Sequence, residues 1–196
     1  MPGVLVLTAG CARPPDGNGA AQVVACTERS GPLASEVRAR DLAGSYRLAL
    51  VATSGDSAGS RAEGQLTLAP NDSVHTVVRG MGTDDPRPNV ATPLYGWSDL
   101  AARSVGAVNT GSLRASDPDA PGVLVIEGRT EGTGAPPDII LRLGEYANDR
   151  DRVLFDGGYT VLRVSWIESG AFGGSWESAA MNRGSAGGYF CVQPTP

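Results

Sequence analysis

The stretch Gly44-Ser45-Tyr46-Arg47-Leu48-Ala49-Leu50-Val51 sets the period from which the fold follows. Tyr46, Leu48 and Leu50 fall on one side of an extended chain, and Arg47, Ala49 and Val51 fall on the other. That period of two is the pattern of a strand with one face toward a core; a helix would repeat its apolar positions every three or four residues. A Gly/Ser-rich stretch, Ser54 to Ser60, follows. Leu66 and Leu68 then alternate with Gln65 and Thr67, so the two extended segments read as a hairpin.

Further strands are expected at Val74 to Val78, Leu94 to Asp99, Val105 to Val108, Val123 to Ile126, Ile139 to Leu143, Tyr159 to Ile167 and Gly188 to Val192. Shorter pieces are expected at Val153 to Phe155 and Gly174 to Ser178. Clusters of turn residues separate them, such as Asp117-Pro118-Asp119 and Gly134-Ala135-Pro136-Pro137. Only Leu33 to Leu42 reads as a short helix, with Ser35 as its cap, Val37 and Leu42 as its apolar positions and Gly44 as its stop. Many short strands with at most one short helix predict an all-β fold: an antiparallel up-and-down barrel, with a β-sandwich as the alternative. In a barrel, alternation turns Leu48, Leu50, Leu66, Leu68, Ile139, Leu141, Leu143, Leu162, Val164, Trp166, Phe190 and Val192 inward. Cys191 then faces outward.

The 196 residues suffice for one domain with a core of its own. Gly (27) and Pro (14) make about a fifth of the chain, yet 41% apolar residues keep it in the folding range. Every basic residue is Arg, 16 against 21 acids, and the net charge of -5 offers no footprint for a phosphate backbone. Nucleic acid is therefore not an expected partner. One His and three Cys leave almost no material for a zinc site or a Cys-His nucleophile, and no cofactor is expected.

Val4-Leu5-Val6-Leu7-Thr8-Ala9-Gly10-Cys11 is an apolar run closed by small residues and a Cys, ahead of a polar, Pro-rich stretch. This order resembles the lipobox of bacterial lipoproteins. The resemblance implies acylation of the Cys11 thiol, removal of residues 1–10 as part of a signal peptide, and a domain held on the cell envelope, facing the periplasm or the exterior. No basic residue precedes Cys11 and the apolar run is short, so the leader is expected to begin upstream of Met1. Residues 11–32 then serve as tether and linker, and residues 33–196 as the barrel. With Cys11 acylated, Cys26 and Cys191 are left as an even pair in an oxidising compartment, either bridged or as two buried thiols.

Gly44-Ser45-Tyr46 also resembles the Gly-x-Trp strand entry of lipocalins and related calycin barrels, and Asp156-Gly157-Gly158-Tyr159 faintly resembles their later Thr-Asp-Tyr turn. The likeness implies an up-and-down barrel over roughly residues 33–193. Gly174-Ser175-Trp176 repeats the Gly-Ser-aromatic unit and either pairs with the first to close the sheet or is a coincidence of a Gly-rich chain.

Gly55-Asp56-Ser57-Ala58-Gly59 matches the Gly-x-Ser-x-Gly elbow, but a strand follows it where the elbow needs a helix. It reads as a hairpin loop. His75 sits alone in an alternating segment, and Asp84-Asp85 and Asn148-Asp149-Arg150-Asp151 lack the Gly turn and distal Glu of a calcium loop. No catalytic residue is assigned and no enzyme is expected. Tyr95, Trp97, Trp166 and Trp176 are the candidates for gripping a small apolar ligand at a barrel mouth. The functional expectation is a membrane-anchored lipoprotein whose barrel binds such a ligand. The alternative is a self-filled barrel that docks an envelope protein, and a weaker one is a hydrolase with an acidic site not identified.

Overall fold

In a computed structural model, residues 24–71, 90–108, 122–128, 137–144, 159–180 and 183–195 are described. Eight strands form one closed sheet: β1 (Gly44–Ser54), β2 (Arg61–Pro70), β3 (Val90–Ser98), β4 (Val123–Gly128), β5 (Asp138–Leu143), β6 (Tyr159–Glu168), β7 (Ala171–Ala180) and β8 (Arg183–Pro194). Each pairs antiparallel with its sequence neighbour, and β1 pairs with β8 to close the ring. The fold is the up-and-down barrel expected from the alternation, one closed sheet instead of the two of a sandwich. The expected segments at Val74 to Val78 and Val153 to Phe155 lie outside the described residues, as do His75, both acidic clusters and the Asp156-Gly157-Gly158 turn.

The inward face is apolar from every side. Leu50, Leu66, Leu94, Val125, Leu141, Leu162, Phe172 and Val192, one from each strand, are all 0% exposed. Tyr46 meets Phe172 edge to face with ring centroids 5.3 Å apart, and Phe172 meets Phe190 the same way at 6.4 Å. Outward positions on β1 and β2 carry Arg47, Arg61 and Glu63, joined by ion pairs of 3.3 and 2.7 Å.

Short segments close both ends. At the end where β1 begins, a 3-10 turn (Ala39–Leu42) buries Ala39 and Leu42 against the core. The Tyr46 hydroxyl donates to the Leu42 carbonyl at 3.0 Å, and the Ala39 amide donates to Glu127 Oε2 at 2.7 Å. Burial raises the Tyr46 phenol above its ordinary pKa, which keeps it in the protonated state that donates. The helix expected over Leu33 to Leu42 is thus one 3-10 turn, preceded by Arg38, with the Asp41 side chain accepting from the Arg38 amide. Leu33 and Val37 also pack against the core, but from a turn in which the Val37 amide donates to the Ala34 carbonyl at 3.2 Å, and not from a continuous helix.

At the opposite end, a second 3-10 turn (Ala102–Val105) buries Ala102, Val105 and Ala107, where a strand over Val105 to Val108 was expected. Gly106 ends it with φ 78°, which favours glycine. Val108 is then fastened to the ends of β6 and β7. Its amide donates to Ser178 Oγ at 2.9 Å, the Thr160 hydroxyl donates to its carbonyl, and the two hydroxyls lie 2.8 Å apart. All of these groups are buried. Ser178→Ala leaves the Val108 amide without this acceptor and is expected to cost about 1–3 kcal/mol. Urea unfolding, with hydrogen exchange at the Val108 amide, checks this; unchanged stability and protection would contradict the stopper.

One expected inward residue turns outward. β6 gains an extra residue between Val164 and Trp166, since Val164 faces Gly174 and Trp166 faces Gly173. This bulge at Ser165 shifts the alternation by one position, so Ile167 packs toward the core and Trp166 lies on the outer wall. Gly173 accommodates the indole: a Cβ there would come within 2.6 Å of the ring. The Gly44 and Gly174 units do not pair with each other, because β1 closes on β8.

Candidate functional site

Residues 24–29 lie along the outside of the barrel ahead of β1. Cys26 is disulfide-bonded to Cys191 on the outer face of β8, with Cα atoms 5.4 Å apart. Val24 is buried against Ala49 and Cys191, and its carbonyl accepts from the Arg61 guanidinium. Gln193 Nε2 donates to the Ala25 carbonyl at 3.0 Å. Farther along, Ser165 Oγ donates to the Arg29 carbonyl at 3.3 Å, and the Arg29 guanidinium sits 5.2 Å from the Trp166 ring centre and 2.8 Å from Glu168. Residues 24–29 thus run as a strap from β2 across the β1–β8 seam to β6. Of the expected tether and linker, residues 24–29 form this strap, and residues 11–23 lie outside the described residues.

The four aromatic candidates do not share a mouth. Trp176 alone faces inward, 3% exposed, with its Nε1 donating to the Val51 carbonyl at 3.0 Å. It is core. Trp166 lies under the strap. Tyr95 and Trp97 stand on the outside of β3, 44% and 41% exposed, because Leu94 takes the inward position between them and the bulge near Pro93. Cys11 lies outside the described residues.

The wall away from the strap holds a surface that the sequence reading passed over. Strand pairing aligns Tyr95, Leu124, Arg142 and Val161 in one row across β3 to β6, and Ile126 faces Ile140 in the next row. Because Val123, Val125, Ile139 and Leu141 fill the interior, all of these point outward. Leu124 is 7% exposed, and Ile126, Ile140, Arg142 and Val161 are partly buried. The signal was present in the continuous apolar runs Val123 to Ile126 and Ile139 to Leu141, which mark strands covered on both faces.

Arg142 is the polar centre of this surface. Its Nε is buried with no hydrogen-bond partner. Burial also lowers its pKa from the ordinary guanidinium value, the direction expected for a cation taken partly out of water. Among the described residues no carboxylate pairs with it: the neighbouring Arg163 takes Asp138. Nor do the described residues hold any group of three or more His, Cys, Asp or Glu placed to ligate a metal ion.

No protein family, curated protein or solved structure matches the chain.

Proposed function

We propose that this chain is a lipid-anchored envelope protein that acts through its outer wall, the barrel serving as a rigid body and not as a container. One observation carries the reading: each strand contributes an inward side chain at 0% exposure, and a packed 3-10 turn stands at either end. A ligand-binding interior needs a cavity on the order of 300–1,000 Å³. What supports a filled interior is that all eight strands turn fully buried side chains into it.

The anchoring half of the proposal is supported by cysteine use. Cys26 and Cys191 are joined, as befits an oxidising compartment, which leaves Cys11 as the remaining thiol, directly after its apolar run. The span from Cys11 to Val24 reaches at most about 45 Å when extended. Such a tether holds the domain beside the membrane, and more than one acyl chain makes the attachment stable.

Two measurements test the halves separately. In its bacterial host the wild-type protein is expected in the detergent phase on Triton X-114 partition, and the Cys11→Ser variant in the aqueous phase. Titration with the apolar fluorophore N-phenyl-1-naphthylamine is expected to give no saturable signal. Equal partition of the two proteins would remove the anchor, and saturable one-to-one binding of the fluorophore would restore the container.

A further inference from the structure

We propose that the Cys26–Cys191 bond is a reducible clasp that sets the length of the membrane tether. Closed, it holds the strap and the three residues that follow it, 24–32, against the wall; opened by a dithiol, it adds them to the tether. The inference rests on the anchoring reading above and specifies its regulation.

Residues 24–32 belong to no strand or helical turn, and among the described residues no backbone-to-backbone hydrogen bond holds them. Val24 is buried, Cys26 is partly exposed and the other seven are exposed. Side chains on β2, β8 and β6, those of Arg61, Gln193 and Ser165, donate to the carbonyls of Val24, Ala25 and Arg29. The ion pair of Arg29 with Glu168 joins side chains that are 53% and 68% exposed, so water screens it. Even with the burial of Val24 and the stacking of Arg29 on Trp166, these contacts return less than the chain entropy lost in ordering nine residues. The covalent bond is what keeps the strap down.

Release stays local. β8 is paired along both sides, to β1 and to β7, so closure of the barrel does not depend on the bond. The next fastening along the chain is Leu33, packed into the main core with Val37, Ala39 and Leu42. Opening the clasp moves the tether's point of attachment from Val24 to Leu33. The greatest reach from Cys11 then grows from about 45 Å to about 75 Å.

Access decides where reduction begins. Cys191 is 2% exposed, whereas Cys26 presents part of its surface to solvent. A thiolate of the dithiol attacks Cys26 Sγ and forms a mixed disulfide; the Cys26–Cys191 bond breaks with its electron pair on Cys191, which takes a proton from water. The second thiolate of the dithiol then displaces Cys26, which is protonated in turn, and the reductant leaves as its own disulfide.

The test uses the full chain carrying Cys11→Ser, with DNA handles on azide-bearing residues in place of Ala12 and Asp56, held at low force in optical tweezers. Asp56 is exposed in the β1–β2 loop, outside the strap and its contacts. Dithiothreitol is expected to lengthen the contour in one step of about 30 Å, the length of nine residues, and oxidised glutathione to reverse it. The Cys26→Ala/Cys191→Ala variant is expected to be longer from the start and to show no step. Reduction without a step would overturn the proposal, because the strap would then be held by its non-covalent contacts. A step beyond about 60 Å, which reaches Gly44, would overturn it by showing that the 3-10 turn leaves with the strap. Reduction only in urea that also unfolds the barrel would overturn it as well, making the bond a structural crosslink alone. No lipid enters the measurement, so its failure is distinct from failure of the anchor, which the Triton X-114 partition reads.

Discussion

Phe172→Ala is expected to lower the free energy of unfolding by about 3–5 kcal/mol, enough to threaten folding of a domain with ordinary marginal stability. The ring is 0% exposed and contacts Tyr46 and Phe190 edge to face. Closed strands surround it on all sides, so the barrel has little means of collapsing into the space vacated. The loss therefore combines apolar transfer with a persistent cavity, the combination that produces the upper part of the range. Urea unfolding followed by circular dichroism measures it. Trp97→Ala is the comparison, and removing that half-exposed ring is expected to change stability by no more than about 0.5 kcal/mol. A small effect at Phe172 would mean that the interior already contains slack, and the filled-barrel reading would lose its main support.

Breaking the Cys26–Cys191 bond is expected to cost roughly 2–5 kcal/mol. The two cysteines are 165 residues apart in sequence, so the crosslink removes a large share of the unfolded chain's freedom; the chain-entropy expression alone gives about 5 kcal/mol at this separation. Measured disulfides commonly give less, because the reduced unfolded state retains some order. Here the bond also fixes the strap over the seam where β1 meets β8, covering Val24, Ala49 and Cys191 together. The paired variant Cys26→Ala/Cys191→Ala avoids leaving a lone thiol. Its unfolding midpoint should fall, and Trp166 fluorescence should shift toward that of a wetter indole as the strap lifts. Unchanged stability and unchanged emission would show that the strap is held by its hydrogen bonds alone.

The barrel was legible because its inward positions keep strict alternation over long runs. Tyr46 to Leu50 and Ile139 to Leu143 hold phase without interruption, and the structure places these residues inside. The outward position of Cys191, next to Phe190 and Val192, followed from the same parity, and so did its availability to Cys26. The misreading at Trp166 came from a bulge, which changes parity without an insertion visible in the residue types. The facing Gly173-Gly174 pair was the trace it left. A second hidden feature is the β6–β7 turn at Ser169-Gly170, where both residues have positive φ, 51° and 81°. Ser is an uncommon occupant of that conformation, so the dipeptide gave a weak hairpin signal.

The candidate surface was less legible than the core, for a physical reason. Alternation identifies one buried face and assigns the other to solvent by default. The outer positions of β4 and β5 include Leu124, Ile126 and Ile140 beside Asp138 and Arg142, a mixture that periodicity does not sort, and Arg142 between Leu141 and Leu143 reads as an ordinary solvent-facing residue. Only the pairing of β3, β4, β5 and β6 brings Tyr95, Leu124, Arg142 and Val161 into line. The aromatic residues suggested for a mouth were judged by type, and Tyr95 and Trp97 have the parity of the outer wall because Leu94 is inside.

Native mass spectrometry of the protein extracted from its own membranes in mild detergent tests the central claim most directly. The expected species is a chain beginning at Cys11, heavier by covalently attached acyl groups, intact at the Cys26–Cys191 bond and carrying no small molecule that is lost on collisional activation. A chain without acyl mass, or one that releases a stoichiometric apolar compound on activation, would contradict the account.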